Sequence, residues 1–168
     1  VTNFKNYNEA TRLLSDKINC FIGDNGAGKT NLLDAIHYLS FCKSYFNPVD
    51  TQNIRHQENF ISIHGTYLKN GDSADIISCI QKTDHRKLFK INHKEYERLA
   101  DHIGLFPLVM VSPYDRDLIN EGSDVRRRYL DGVISQFDKP YLDNLICYNK
   151  ALAQRNALLK HFSDTRSF

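Results

Sequence analysis

The sequence predicts an α/β fold with a mixed sheet, and three observations carry that prediction. An apolar stretch at residues 18–22 runs into a glycine-rich turn, which opens an amphipathic helix over residues 29–40. Residues 60–67 alternate apolar and polar side chains at the two-residue period of half-buried strands, and two further strands follow by residue 91. From Gly122 onward apolar positions recur at helical spacing to the C-terminus. The 168 residues are 41% hydrophobic and 25% charged, ordinary for a folded domain and too apolar for a chain that stays disordered.

Each element follows in order. Residues 1–17 are polar, with a strand at the very start. The apolar strand 18–22 ends at Gly23. In the helix after it, Leu32, Leu33, Ile36 and Leu39 form one apolar face. Residues 43–59, broken by Asn47 and Pro48, read as a surface loop. The strand 60–67 sets Ile61, Ile63 and Tyr67 on one face, and Asn70-Gly71 signals a hairpin into a second strand at 74–81. A third strand, 87–91, ends in the turn Asn92-His93, which completes an antiparallel side sheet. Residues 105–111 read as a further buried strand stopped by Ser112-Pro113. Ser123 is the expected N-cap of a helix with Asp124 in its first turn and Val125, Tyr129, Val133, Ile134 and Phe137 on its apolar face. Pro140 suits the first turn of the last helix. Its stripe of Leu142, Leu145, Ile146, Leu152 and Leu159 has no stop signal before Phe162. The organisation expected is a lobe at 1–138 and, at 139–168, the start of a helical arm with exposed leucines, whose stripe would pack on a returning helix.

Composition excludes several classes. The longest apolar runs are about seven residues, against the ~20 of a membrane-spanning helix, and no leader opens the chain, so a cytoplasmic protein without membrane contact is expected. Net charge is +2, so nucleic-acid binding would have to rest on a local patch. Cys20, Cys42, Cys79 and Cys147 show no CxxC spacing and read as reduced, buried thiols. His85, His93 and His102 lack metal-ligand spacing and are expected at the surface. The chain opens on Val1-Thr2-Asn3-Phe4 without an initiator Met, which reads as part of a longer protein.

Chemistry centres on Gly23-Asp24-Asn25-Gly26-Ala27-Gly28-Lys29-Thr30, which matches the P-loop pattern GxxxxGK[ST] between a strand and a helix. Its chance frequency in a chain this long is about 1%, from average residue usage. Glycines let the backbone wrap around phosphates, and the helix N-terminus favours an anion. Asn25, Gly26, Ala27, Gly28, Lys29, Thr30 and Asn31 are the candidate nucleotide-binding residues. Lys29 would reach the β- and γ-phosphates of ATP, and the Thr30 hydroxyl would ligate Mg²⁺. The plain alternative is a glycine-rich connection between strand and helix. Hydrolysis also needs a carboxylate at the end of a second apolar strand. Residues 108–111 are the one candidate, but Ser112 and Pro113 follow, and Asp115 comes late. The hydrolytic half of the site is therefore expected to lie outside this chain.

The stretch GDNGAGKTNLLDAIHYLS resembles the RecF family, DNA replication and repair ATPases with an ABC-type, SMC-like head. Asn3-Phe4-Lys5-Asn6-Tyr7 is similar to that family's opening NFRNY, with Lys for Arg. Lys43-Ser44-Tyr45 resembles its KSF, and Ile91-Asn92-His93-Lys94 its INGK turn with His93 in place of Gly. Ser112-Pro113-Tyr114-Asp115 is similar to its F-x-PED segment, and Arg126-Arg127-Arg128-Tyr129-Leu130-Asp131 to RRxFLD. Tyr148, Leu152, Gln154, Arg155, Asn156 and Leu159 follow its YxxxLxQRNxLLK run. The resemblance implies a P-loop ATPase lobe that binds ATP and Mg²⁺ and dimerises head to head over the nucleotide. It implies binding of DNA at junctions of single and double strands, and work with RecO- and RecR-type proteins in loading recombinase at gaps. The family's S-x-G-Q signature and acidic strand lie in its second half, so the parent is expected to be a slow ATPase and this piece catalytically incomplete. The resemblance also implies a nucleotide contact for Lys5, against the alternative of a solvated surface lysine. Two other readings are a self-contained small P-loop enzyme, such as a nucleotide kinase, and a non-catalytic helical module with a vestigial P-loop.

The remaining candidates have two readings each. Asp115 would hold Mg²⁺ or its water, or it caps a turn. Arg126, Arg127 and Arg128 oppose the helix dipole by roughly 0.3–1 kcal/mol each, so they contact DNA phosphates or pair with carboxylates such as Glu121 or Asp131. Lys82, His85, Arg86, Lys87, Lys90, His93 and Lys94 form a local basic patch, for phosphate binding or simply as a charged hairpin that resists edge pairing. Lys87 and Lys90 are its DNA-binding candidates.

Overall fold

A computed structural model describes residues 1–69 and 73–165. They form two compact units, Val1–Met110 and Val111–Phe168. The division thus falls ahead of residue 138, and the helices after Met110 group with the last helix.

The first unit is built on a six-stranded sheet with the order β2-β1-β3-β4-β5-β6. Its strands are β1 (Thr2–Phe4), β2 (Tyr7–Glu9), β3 (Phe60–Lys69), β4 (Ser73–Lys82), β5 (Leu88–Ile91) and β6 (Lys94–Glu95). Every pairing is antiparallel, so the sheet is not mixed among the described residues. The register sets Ile63 opposite Cys79 and Cys79 opposite Phe89. Because side chains alternate faces, Ile61, Ile63, Ile77, Cys79 and Phe89 share one buried side, and Phe4 of β1 packs in the same core. Helix α1 (Lys29–Phe41) covers that side. Gly65 marks the close approach, since a Cβ there would stand 2.6 Å from Leu39 Cδ1. Asn92 and His93, between β5 and β6, have φ of 48° and 69°, both left-handed as a two-residue type I′ hairpin requires. The Asn70-Gly71 turn lies outside the described residues.

The face of α1 on the core is Ala35, Tyr38, Leu39 and Cys42, at i, i+3, i+4 and i+7, while Leu33 is exposed. A small residue and a tyrosine serve the interface, which a count of large aliphatics misses. Residues 18–22 form no strand, and Ile18 and Ile22 are 83% and 94% exposed. A strand needs a hydrogen-bonded neighbour, and none of the six lies beside this segment. Residues 105–111 likewise form no strand, with Val109 and Val111 exposed. The loop 43–59 is not simply superficial. A 3-10 turn at Asp50–Asn53 buries Asn53, whose carbonyl accepts from Lys5 N–H at 2.8 Å, and Ile54 bridges Phe4.

Two further readings concern buried polar groups. His102 is fully buried, not superficial. Its Nε2 lies 2.6 Å from the Leu39 carbonyl and its Nδ1 3.0 Å from the Tyr96 hydroxyl, against Phe89 and Phe106. Cys42 and Cys79 are buried, and burial pushes both thiols up to about 12, but Cys20 and Cys147 are exposed.

The second unit holds α2 (Asp117–Asn120), α3 (Ser123–Ile134) and α4 (Lys139–Thr165). Gly122, not Ser123, caps α3, and Ser123 is its first residue. Pro140 sits in the first turn of α4, where Asp138 Oδ1 accepts the Tyr141 N–H at 2.8 Å. Along α4 only Leu142 is buried, while Ile146, Leu158, Leu159 and Phe162 are exposed. Of the expected stripe, Leu142 is thus buried, Leu145 and Leu152 are half-buried, and Ile146 and Leu159 are exposed.

Candidate phosphate-binding site

Residues 23–30 lead into the N-terminus of α1. Gly26 and Gly28 have φ of 84° and 102°, a region open to glycine and strained for other residues. Gly28 is the N-cap of α1, no side chain caps it, and the first turn carries no acidic residue. The first N–H groups of a helix have no intrahelical partner, and the dipole makes that end positive. An uncapped helix start without a carboxylate is thus prepared for an external anion. Gly26 faces open space, with nothing within 4 Å of an added Cβ. Lys29 Nζ turns back into the loop and donates to the Gly23 and Asp24 carbonyls at 2.6 and 2.7 Å. The Thr30 side chain is exposed at the same end, and Asn25, Ala27 and Asn31 flank it. These groups fit a polyphosphate.

The turn between β1 and β2 grips this loop residue by residue. Asn6 Nδ2 donates to the Gly26 carbonyl at 3.1 Å, and Asn6 Oδ1 accepts from Asn31 Nδ2 at 2.8 Å. Tyr7 OH donates to the Gly28 carbonyl at 3.1 Å. Lys5 is no solvated surface lysine: its side chain is 11% exposed, and its Nζ lies 2.5 Å from the fully buried Asp34 carboxylate of α1. Asp34 also accepts from Ser44 Oγ at 2.6 Å and from the Tyr45 N–H at 2.7 Å. The Asn-Phe-Lys-Asn-Tyr and Lys-Ser-Tyr motifs therefore meet at one buried carboxylate. Asn6, Tyr7, Asp34 and Ser44 were not singled out from the sequence. Their signal was the pair of motifs flanking the P-loop, whose long-range partners spacing does not reveal.

Asp115 closes a capping box in the second unit: its carboxylate accepts from the Ser112 N–H at 2.6 Å, and Ser112 Oγ accepts from the Tyr114 N–H at 3.2 Å. Among the described residues no group of three His, Cys, Asp or Glu side chains is placed to hold a metal. A metal here would rest on Thr30 and on phosphate oxygens. Arg126 donates to the Leu118 and Glu121 carbonyls at 3.1 and 3.0 Å, Arg127 pairs with Asp124, and Arg128 Nε is 3.4 Å from the Asp124 carbonyl. Asp131 accepts from the Tyr141 hydroxyl at 2.5 Å. Lys87 leaves the basic patch: its Nζ is buried against Asp50 at 2.7 Å and the Cys42 carbonyl at 2.6 Å, over the Tyr38 ring. Lys90 is half-buried in the sheet opposite Ser78 and Glu95, while Lys82, His85, Arg86, His93 and Lys94 are exposed. No helix among the described residues is long and apolar enough to cross a membrane.

Known proteins place this geometry. The AAA ATPase domain family matches residues 1–163. The DNA replication and repair protein RecF of Phocaeicola vulgatus is 59% identical over 160 residues, covering 95% of this chain and 43% of the relative. That of Flavobacterium johnsoniae is 52% identical over 166 residues, covering 99% and 46%. The chain thus spans less than half the length of these relatives. A solved structure of the recombination mediator RecF with ATP, from the RecFOR pathway, superposes with a TM-score of 0.88 at 32% identity, covering 95% of this chain and 43% of that one. An SMC ATPase structure shares the fold at a TM-score of 0.59 and 18% identity, over 81% of this chain and 95% of that one. The chain belongs to the AAA ATPase domain family and matches the N-terminal ATPase region of RecF-type DNA replication and repair proteins.

Proposed function

We propose that residues 23–31 bind ATP with Mg²⁺, and that the chain is the nucleotide-binding part of a cytoplasmic recombination mediator. The observation that carries this reading is the uncapped, acid-free start of α1 with Lys29 folded into the glycine loop before it. Lys29 would exchange its two carbonyl partners for phosphate oxygens, and Thr30 Oγ would help to hold Mg²⁺. A RecF solved with ATP supports the same ligand. In the longer protein, nucleotide drives head-to-head dimerisation, slow ATP hydrolysis and binding to gapped DNA, with RecO- and RecR-type partners. Exposed cations such as Arg86 and Lys94 are available to DNA phosphates.

The test is equilibrium titration with Mg·ATP. The protein should bind, and Lys29→Ala should weaken binding at least about 10-fold, the loss of a charge-assisted hydrogen bond. Equal affinity in both proteins would overturn the reading.

A further inference from the structure

We propose that Asn6 and Tyr7 are positioning residues that set the shape of the phosphate loop before nucleotide arrives, and so set nucleotide affinity without touching the nucleotide. The inference rests on the nucleotide-binding reading above and deepens it. A peptide plane carries its carbonyl and the next N–H on opposite sides. Tyr7 OH holds the Gly28 carbonyl, and the other side of that peptide is the Lys29 N–H, at the anion-binding start of α1. The Gly28 carbonyl also accepts from the Leu32 N–H at 3.0 Å, so helix and tyrosine fix one plane together. Two residues earlier, Asn6 holds the Gly26 carbonyl and ties it through Asn31 to the first turn of α1.

The grip has no slack. An added Cβ on Gly28 would stand 2.8 Å from both amide atoms of Asn6 and 3.0 Å from Tyr7 Cζ. This glycine is needed for contact with the turn as well as for its φ. The turn itself is anchored, because Lys5 is locked to Asp34 inside the protein. A rigid support therefore reaches the loop at two carbonyls, those of Gly26 and Gly28. Pre-forming the loop removes an ordering cost that binding would otherwise carry.

Tyr7→Phe removes one hydroxyl and keeps the ring against Gly28, and Asn6→Ala removes the second tie. Three readouts separate positioning from scaffolding: Mg·ATP affinity, amide exchange at residues 26–30 without nucleotide, and melting temperature without nucleotide. For Tyr7→Phe we expect affinity to fall about fivefold, the span of one hydrogen bond, with faster exchange at Lys29 and an unchanged melting temperature. Asn6→Ala should weaken binding by a similar factor and speed exchange at Ala27. If both variants bind Mg·ATP as the parent does, the inference is overturned and the nucleotide reading stands. A lowered melting temperature with unchanged affinity also overturns it, since the ties would then be scaffolding alone. If the parent itself does not bind, the nucleotide reading falls and takes the inference with it.

Discussion

The Lys5–Asp34 pair joins the opening strand to the nucleotide-side helix, and its removal should be costly in a specific way. Asp34 is fully buried and Lys5 nearly so, at an N···O distance of 2.5 Å. Asp34→Asn keeps the shape and one acceptor for Ser44 and Tyr45, but leaves the ammonium without a counter-charge. Breaking one side of a buried pair costs about 3–5 kcal/mol. Lys5 retains some exposure, which argues for the lower end, about 3 kcal/mol. Lys5→Met leaves the carboxylate with only Ser44 Oγ and the Tyr45 N–H, a loss of the same order. The double variant removes both charges, so it should lose about 2 kcal/mol less than the sum of the singles. At 2–4 °C per kcal/mol for a chain of roughly this size, each single substitution lowers the melting temperature by about 6–12 °C. Urea unfolding followed by circular dichroism measures all four proteins. Strict additivity, or a single-variant loss below about 1 kcal/mol, would refute the account and return Lys5 to the role of a surface cation.

Two more outcomes follow from buried and strained groups. Burial holds the His102 and His37 imidazoles below their ordinary value, so both are neutral in the fold. Their folded values lie below the unfolded one, so the unfolded chain binds more protons: stability is complete above pH ~6.5 and is lost as pH falls below it, by up to about 1.4 kcal/mol per unit for each histidine. Urea midpoints at pH 7.5, 6 and 5 should decline, and a flat profile over that window would contradict it. His93→Gly should raise stability by about 0.5 kcal/mol, because relief of a left-handed residue, about 1–2 kcal/mol, exceeds the added freedom of the unfolded chain. A lower urea midpoint for that variant would contradict the assigned turn.

Legibility in this sequence tracks distance along the chain. The helix after the glycine loop, the β5–β6 turn and the alternating strands are signalled by residues within ten positions of one another, and all of them form. Partners farther off were not readable. Lys87 reads as one more cation in a basic hairpin until Asp50, 37 residues earlier, takes its ammonium. His102 reads as a surface residue until the Leu39 carbonyl, 63 residues away, takes its Nε2. Lys5, too, has a partner that spacing does not reveal, a carboxylate one turn into the helix that follows the loop.

The same limit explains the apolar segments. A run such as residues 18–22 states that a stretch is fit for burial, but it cannot name the neighbour that buries it. Helix α1 makes the point within one element. Of the expected face of Leu32, Leu33, Ile36 and Leu39, only Leu39 reaches the core, and the sheet packs on the stripe of Ala35, Tyr38 and Leu39 that lies one residue out of phase with the other three. Two apolar stripes on one helix mean two surfaces to satisfy, and only one of them is filled by β3 and β4. Periodicity of the large aliphatics shows one of these faces; finding the one that goes inside needs the sheet register, where Gly65 opposite Ile77 admits Leu39.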